Sequence, residues 1–357
     1  MSAHDDWLEF LQKQANYTHA STVAASRELA QGKTVFCDLS GSGLIAASGE
    51  EAESFLQNQF CNDVRLVSET HSQLNGYCTA KGRLLALFHL FKHNGIYYCD
   101  LPRERLAPTL KRLQMYVLMS RVKLQDASDE LIRIGLAGQQ AQQVLQSIST
   151  TIPMQVNDAI QHQGVTIMRM PASLSQTELP RFLLIGTLES IKPVWQALCD
   201  SATADVVAAD AGIWQYLDIL AGIPQVVEST VEEFVPQMVN LQSINGLSFK
   251  KGCYPGQEVV ARMHYLGKQK KRMYLAHLDS ASVPQPGTAI YMSGEHNNQA
   301  IGQIVSSCAA PSGGADILAV LQIASAQSRE VHLGDQQNIP FHLKDLPYSV
   351  EVEGDGQ

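Results

Sequence analysis

The C-terminal part of the chain consists of short apolar runs separated by turn residues. Beyond Arg272 the runs lie at residues 273–278, 289–292, 300–305 and 317–323. Proline and glycine separate them, as at Pro286-Gly287 and Gly313-Gly314. Short, regularly spaced strands with such turns are typical of a small β-barrel or sandwich. Residues 273–350 are therefore predicted to form a C-terminal β-barrel.

The part of the chain before the barrel is predicted to be α+β, because strand-like and helix-like segments alternate along it. A chain of 357 residues also exceeds what one ordinary core accommodates. We therefore predict an N-terminal arm or helix over residues 1–25, a first α+β portion over 26–125, a second over 126–249, and a connecting segment over 250–272.

A predicted strand at residues 34–39 is followed at once by Gly41-Ser42-Gly43, which invites comparison with a dinucleotide-binding motif. That motif requires a helix to begin at the glycines. Here the apolar residues 44–47 continue as a second strand, and a capping box at Ser48 and Glu51 marks a later helix start. We expect a strand, a turn, a strand and a helix, and not a Rossmann fold.

A basic turn, Lys81-Gly82-Arg83, lies between two strand-like runs at residues 76–80 and 84–91. This pattern predicts a β-hairpin. A further predicted strand at residues 97–100 precedes residues 103–118, where apolar residues recur at helical spacing and predict a helix.

The composition is typical of a globular protein, with 45% hydrophobic and 17% charged residues. No apolar stretch approaches the roughly 18 residues of a membrane span, and the N-terminus lacks the features of a signal peptide. We therefore expect a cytoplasmic protein without a membrane association. The net charge of −9 argues against a general nucleic-acid binder.

The seven cysteines are scattered, so we expect neither a disulfide framework nor a self-contained metal site. No Cys-x-x-Cys pair and no local cluster of cysteine and histidine is present in the sequence. The cysteines are Cys37, Cys61, Cys78, Cys99, Cys199, Cys253 and Cys308.

One cysteine lies in a turn motif, Lys250-Lys251-Gly252-Cys253-Tyr254-Pro255-Gly256-Gln257-Glu258. The glycines and the proline favour a bend that presents Cys253 and Tyr254. The ammonium groups of Lys250 and Lys251 would stabilise the reactive thiolate of Cys253. The alternative is that Cys253 is a small buried hydrophobic residue.

Two polar residues, Gln257 and Glu258, follow the bend. They are predicted to order the turn or to take part in proton movement. For Glu258 the alternative is a structural cap of the element that follows.

Positive charge is concentrated in residues 250–272, where Glu258 is the one acidic residue. The stretch is either a solvated basic face or a patch that attracts an anionic ligand or partner. Its basic residues are Lys250, Lys251, Arg262, Lys268, Lys270, Lys271 and Arg272.

Three segments point to a known family. The Cys253 motif is preceded by Phe234-Val235-Pro236-Gln237-Met238-Val239-Asn240-Leu241. Upstream lie Phe55-Leu56-Gln57-Asn58-Gln59 with Asn62-Asp63-Val64, and then Ala80-Lys81-Gly82-Arg83. Together these segments resemble the YgfZ family of folate-binding proteins linked to iron–sulfur clusters. The resemblance extends from Val35 to Tyr348, and the Cys253 motif is its most specific part.

This resemblance implies a fold similar to the aminomethyltransferase of the glycine cleavage system, with three domains around a tetrahydrofolate cavity. It also implies a function in the assembly, insertion or repair of iron–sulfur clusters in client enzymes, including a radical enzyme that modifies transfer RNA. Direct binding of transfer RNA is not expected, because the basic stretch lacks interleaved stacking aromatics apart from Tyr254 and Tyr265.

The resemblance also implies which residues contact the folate. Trp214 lies at the spacing where family members place a folate-contacting tryptophan, and an indole can stack on a pterin. Core packing is the alternative, because Trp214 belongs to a helical apolar stripe. Lys81 and Arg83 would receive the glutamate tail of a folate or the acidic face of a client. The remaining implied cofactor contacts are Tyr254, Asn240, Gln237 and Arg262.

The chain departs from the aminomethyltransferase where that enzyme carries functional carboxylates. After Gly82, in place of aspartates, it reads Arg83-Leu84-Leu85-Ala86-Leu87. Leu220 replaces a pterin-binding glutamate, and Ser42 lies where relatives carry a second tryptophan. We predict a maintenance factor without classical turnover and without aminomethyl transfer. A folate-dependent one-carbon transferase and a scaffold with a vestigial cavity are the alternatives.

Overall fold

The structure, a computed structural model, describes residues 3–13, 19–174, 178–200, 205–267, 269–292, 300–326, 330–333 and 336–350. Its contacts divide the chain into two compact units. The first unit comprises Met1–Ala52, Arg65–Gln73 and His89–Leu217. The second unit comprises Glu53–Val64, Leu74–Phe88 and Asp218–Gln357. Each unit is therefore built from segments that are distant in the sequence.

The helices and strands of the described residues follow in chain order. The α-helices are α1 (Ala3–Lys13), α2 (Thr22–Ala30), α3 (Ala52–Gln57), α4 (Arg103–Gln114), α5 (Ala141–Gln146), α6 (Leu188–Asp200), α7 (Gly212–Leu220) and α8 (Gln257–Leu266). The strands are β1 (Thr34–Asp38), β2 (Gly43–Ser48), β3 (Gln73–Cys78), β4 (Leu84–His93), β5 (Ile96–Leu101), β6 (Lys123–Asp126), β7 (Ile132–Gly138), β8 (Ala159–His162), β9 (Val165–Leu174), β10 (Glu178–Gly186), β11 (Val206–Ala209), β12 (Lys271–Leu278), β13 (Ala289–Met292), β14 (Gly302–Ala309), β15 (Ala315–Gln322), β16 (Glu330–Leu333) and β17 (Gln336–Lys344).

The first unit contains a six-stranded sheet with the order β11-β1-β7-β10-β9-β8. Phe36, Leu136 and Phe182 are register partners on its three neighbouring strands β1, β7 and β10, so they share one face. On that face they belong to one apolar core with Trp7 of α1 and Trp195 of α6. The opposite face of the same strands carries the next residue of each strand, and it is there that a candidate site lies.

A five-stranded sheet has the order β3-β4-β5-β2-β6. Its strands β3 and β4 are joined through Gly82, which has φ +71°, so the predicted hairpin is confirmed. The predicted order of strand, turn, strand and helix is confirmed by β1, β2 and α3.

The helix predicted over residues 103–118 ends earlier, at Gln114. Apolar residues continue beyond Gln114, but the side chains of Met115, Tyr116 and Leu118 are exposed. Leu118 also has φ +41°, which is incompatible with a continuing α-helix.

The second unit contains a closed barrel with the strand order β12-β15-β14-β13-β16-β17, which confirms the predicted C-terminal barrel. β15 pairs with β12 and β14 and is buried along almost its whole length. Its two faces pack in different apolar clusters, one with Ile317 and Ala319 and the other with Leu318. The α+β class is confirmed, whereas the predicted boundaries of the other portions stay predictions. Within the described residues, no helix has the length and apolar character needed to cross a membrane.

Candidate functional site

The Cys253 motif forms an irregular turn that leads into α8, and Gly256 precedes the helix with φ +85°. Side chains in the turn differ sharply in burial. Lys251 and Tyr254 are 5% and 7% exposed, whereas Cys253 lies on the surface. The thiol is thus presented between two buried anchors, which contradicts the alternative of a buried hydrophobic cysteine.

The first anchor is the ammonium group of Lys251. Its Nζ donates hydrogen bonds to the carbonyl oxygens of Gln57, at 2.5 Å, and of Phe60. Gln57 ends α3, where helix carbonyls lack partners within the helix. The same Nζ lies 5.1 Å from the centre of the Tyr254 ring. Lys251 therefore ties the turn to α3, and its predicted effect on the Cys253 thiolate stays a prediction.

The second anchor is Tyr254, which belongs to an apolar cluster of the second unit with Cys61, Cys78 and Val260. Burial raises the pKa of the Tyr254 hydroxyl, and the thiols of Cys61 and Cys78 raise it further. A hydrogen bond with Cys61, together with burial, raises the pKa of the Cys78 thiol. Tyr254 therefore stays protonated at neutral pH and holds the turn by burial.

The other cysteines differ from Cys253 in their surroundings. Burial raises the pKa of the half-buried Cys199 thiol to about 11, and it also raises the pKa of Cys308. Four further cysteines are buried, namely Cys37, Cys61, Cys78 and Cys99. Cys253 is the exposed one of the seven cysteines and is therefore the best placed to meet a partner.

Two of the sequence motifs meet in the second unit. A Cβ atom added at Gly256 would lie 2.4 Å from the carbonyl oxygen of Thr79 and 2.6 Å from the Cα of Gly82. Real Cβ atoms do not approach other atoms this closely, so the absence of a side chain is required. The Cys253 turn and the turn at residues 79–83 therefore touch through their backbones.

Lys81 and Arg83 flank this backbone contact. The Oγ1 of Thr79 accepts hydrogen bonds from the N–H groups of Lys81 and Arg83, each at 3.2 Å, and so closes the turn. Lys81 is exposed, whereas the Nη1 of Arg83 donates to the carbonyl oxygen of Glu233 at 2.6 Å. The structure thus brings the charge of Lys81 to the surface beside the Cys253 turn.

The start of α8 carries Gln257 and Glu258. The Nε2 of Gln257 donates to the carbonyl oxygen of Lys251 at 3.4 Å, so this amide bridges the two ends of the turn. Glu258 and Arg262 are exposed on the helix. The roles predicted for these three residues stay predictions.

Gln237 and Asn240 are buried and bonded to backbone carbonyls. The Nε2 of Gln237 donates to Val260 in α8 at 2.6 Å, and the Nδ2 of Asn240 donates to Met273 in β12 at 2.9 Å. These bonds tie the segment around residues 236–240 to α8 and to the barrel. A contact of either amide with a cofactor stays a prediction.

In the first unit, Trp214 lies on α7 with 9% of its surface exposed. The guanidinium carbon of Arg181 on β10 lies 4.2 Å from the centre of its ring. A Cβ atom added at Gly135 on β7 would lie 2.5 Å from Cε3 of Trp214. The indole thus packs on bare strand backbone with an arginine over one face. Sequence reasoning missed Arg181 and Gly135, although a charged residue inside an apolar strand is a signal that could have found the former.

Ser42, which lies where relatives carry a second tryptophan, belongs to a polar network. Its Oγ donates to Asp100 Oδ1 at 2.5 Å and accepts from Arg133 Nε at 3.1 Å. Arg133 is fully buried, and burial lowers its pKa while the charge of Asp100 opposes this shift. Its guanidinium also donates to the carbonyl oxygens of Ser40 and Ser42. Polar contacts, and not an aromatic wall, therefore fix this turn.

Among the described residues, no group of three or more His, Cys, Asp or Glu is placed to hold a metal ion. Of the basic stretch, Lys250, Arg262 and Lys270 are exposed. Lys268 lies outside the described residues.

No protein-family model matches the chain. The chain is similar in structure to the glycine cleavage system aminomethyltransferase T from Bartonella henselae, with a TM-score of 0.71 at 14% sequence identity. This similarity covers 95% of the present chain and 96% of that protein. Because the sequence identity is low, it shows the fold alone.

Two curated relatives carry the name tRNA-modifying protein YgfZ. The protein from Photobacterium profundum is 31% identical over 319 residues, which is 89% of this chain and 93% of that protein. The protein from Colwellia psychrerythraea is 30% identical over 336 residues, which is 93% of this chain and 100% of that protein. Since this identity extends over nearly the full length of this chain and of each relative, the chain belongs to the YgfZ family.

Proposed function

We propose that this chain is a folate-binding factor that maintains iron–sulfur enzymes and acts through the thiol of Cys253. The name of its relatives fits a client that modifies transfer RNA, here a radical iron–sulfur enzyme. One observation carries the proposal: Cys253 is exposed on a turn whose neighbours Lys251 and Tyr254 are buried, and Lys251 is hydrogen-bonded to the end of α3. A thiol held in this way can contact a partner without rearrangement of the fold.

The client would meet the second unit. Lys81 and Arg262 are exposed there, and Lys81 lies in the turn that touches the Cys253 turn. Exposed cations speed encounter with an acidic surface and help to orient it. Lys81 and Arg262 are therefore assigned to contact with an acidic surface of the client.

Folate binding is assigned to Trp214. The guanidinium of Arg181 covers one face of the indole. The proposal places the pterin ring on the opposite face, where an indole can stack on it. Leu220, which stands where the aminomethyltransferase has a pterin-binding glutamate, is buried and apolar and offers no hydrogen-bond acceptor. A reduced folate, when bound, would supply a carrier of one-carbon groups.

The absence of aminomethyl transfer is part of the proposal. After Gly82, Leu84 and Leu85 are both buried, and Leu84 belongs to the apolar cluster that contains Phe234. Core leucines cannot take over the proton transfer of a carboxylate. Leu84 and Leu85 therefore contribute to the packing of the core.

Replacing Cys253 with alanine is expected to leave the fold intact, since exposed substitutions change stability by at most about 0.5 kcal/mol. The substitution is expected to abolish the maintenance of the client enzyme, so that the client no longer modifies transfer RNA. In cells that lack this chain, thiolated transfer-RNA nucleosides would be quantified by mass spectrometry after expression of each variant. Wild type and the matched control Cys199→Ala should restore them, and restoration by Cys253→Ala would contradict the role of the thiol.

Trp214→Ala is expected to weaken binding of tetrahydrofolate by roughly tenfold to a hundredfold, the range for losing one stacked ring. Isothermal titration of the purified full chain measures this loss, with Trp195→Phe in the core of the first unit as control. Failure of the wild type to bind tetrahydrofolate would overturn the folate part of the proposal. Turnover of a protein-bound aminomethyl donor by the same preparation would show a transferase instead.

A further inference from the structure

Arg181 is a charged residue in the middle of the six-stranded sheet of the first unit. It lies on β10, pairs with Ala137 of β7 and is fully buried. The residues that follow it on the strand, 182–185, are buried and apolar. Burial of a guanidinium is costly unless other groups compensate for the lost hydration. An arginine at this point of a sheet therefore needs a physical explanation.

Part of the explanation is the indole of Trp214. The guanidinium carbon lies 4.2 Å from the ring centre, within the range of a cation–π contact, and Nη1 donates to the carbonyl oxygen of Pro171 at 3.5 Å. The planar guanidinium is suited to lie over an aromatic face. One of the contacts of Arg181 is therefore with Trp214, the residue to which folate binding is assigned.

Gly135 completes the support of the indole. Leu183 pairs with Gly135 and lies two residues after Arg181, so Gly135 and Arg181 belong to the same face of the sheet. Since Gly135 has no side chain, the Cε3 and Cζ3 edge of the indole approaches the backbone of β7 directly. The edge and one face of Trp214 are therefore both fixed by protein groups.

We propose that Arg181 is a positioning residue of the folate site, because it holds the Trp214 indole in the orientation that stacks on a pterin. The inference rests on the proposed function and adds a residue to it. In a buried setting the cation–π contact is strong enough to select one orientation of the ring. Loss of Arg181 would remove the group that fixes one face of the indole, and the ring would no longer be held in the position that stacks on a pterin.

A double-mutant cycle tests whether Arg181 acts through Trp214. Arg181→Met is expected to raise the Kd for tetrahydrofolate about tenfold in the wild type, and by less than about twofold in a Trp214→Ala background. Isothermal titration of the full chain provides both values. A merely structural role would lower affinity alike in both backgrounds.

The chain offers a matched control in the same sheet. Arg169 on β9 lies 5.7 Å from the ring centre of Phe182, so Arg169→Met removes a similar contact elsewhere. It is expected to leave the Kd within about twofold of wild type. If Arg181→Met does not fold, Arg181→Lys keeps the charge but loses the planar group, and an increase in Kd of about threefold is expected.

The possible results separate the two proposals. An unchanged Kd in the Arg181 variants, or equal losses in both backgrounds, would overturn the role of Arg181 and leave the proposed function standing. A wild-type chain that does not bind tetrahydrofolate would overturn both. Coupling between Arg181 and Trp214, with the Arg169 control unaffected, supports the inference.

Discussion

Gly256→Ala is expected to destabilise the second unit by about 3 kcal/mol and to displace the Cys253 turn. Two physical costs add at this position. The backbone has φ +85°, which residues with a side chain rarely adopt, and the new Cβ would collide with backbone atoms of Thr79 and Gly82. Backbone atoms cannot turn aside as a flexible side chain would. Urea denaturation followed by circular dichroism measures the loss.

The same motif provides the control for this prediction. A Cβ atom added at Gly252 would meet nothing within 4 Å beyond its chain neighbours, so Gly252→Ala is expected to change stability by at most about 0.5 kcal/mol. Both variants replace one glycine of the Cys253 turn with alanine, and they differ in the space available to the new Cβ atom. Equal denaturation midpoints for the two variants would contradict the backbone contact between the turns.

Gly135→Ala is expected to displace Trp214 and to weaken tetrahydrofolate binding as much as Trp214→Ala does. The added Cβ would lie 2.5 Å from Cε3 and 2.8 Å from Cζ3 of the indole. It would also lie 3.0 Å from Cδ1 of Leu39. The indole must move because the strand backbone cannot, and overpacking of this kind costs about 1–3 kcal/mol of stability. Titration with tetrahydrofolate and the thermal midpoint together measure both effects.

Gly41→Ala is the matched control in the first unit, because a Cβ at Gly41 has nothing within 4 Å. It is expected to leave both the Kd and the thermal midpoint unchanged. If Gly135→Ala bound tetrahydrofolate with wild-type affinity, the orientation of Trp214 would be irrelevant to binding. That result would also remove the basis for a positioning role of Arg181.

The parts of the fold that could be predicted from the sequence are those that local pattern determines. The hairpin around Gly82 and the strands of the barrel have turn residues between apolar runs, and these signals need no distant partner. The end of α4 at Gln114 could not be predicted in this way. Tyr116 continues the helical spacing from Leu113, and only the tertiary structure shows that its side chain is exposed.

In the candidate site, too, the features set by local sequence could be predicted and those set by distant residues could not. The bend at Cys253 follows from its glycines and proline, so its presentation at the surface could be predicted. The position of the Lys251 ammonium could not, because its acceptors on Gln57 and Phe60 lie far away in the sequence. For the same reason the sequence suggested an electrostatic role for Lys251, whereas the structure adds an anchoring one.

The contact of Trp214 with Arg181 depends on strand register, which periodicity alone does not supply. Two strands must pair so that Gly135 and Arg181 occupy one face, and α7 must then lay Trp214 upon it. An arginine in an apolar strand signals that something unusual is present. It does not say which aromatic residue lies above it.

The segmented assembly of the two units limits how the chain can be divided. Each unit is made of three stretches that alternate along the sequence, so no single cut releases both units intact. A fragment ending at Leu217 would keep Leu84 and Leu87 but lose Val239 and Leu241, their companions in one apolar cluster. The exposed leucines would favour aggregation. Synthesis of the C-terminal stretch must therefore be completed before the earlier stretches of the second unit can be covered.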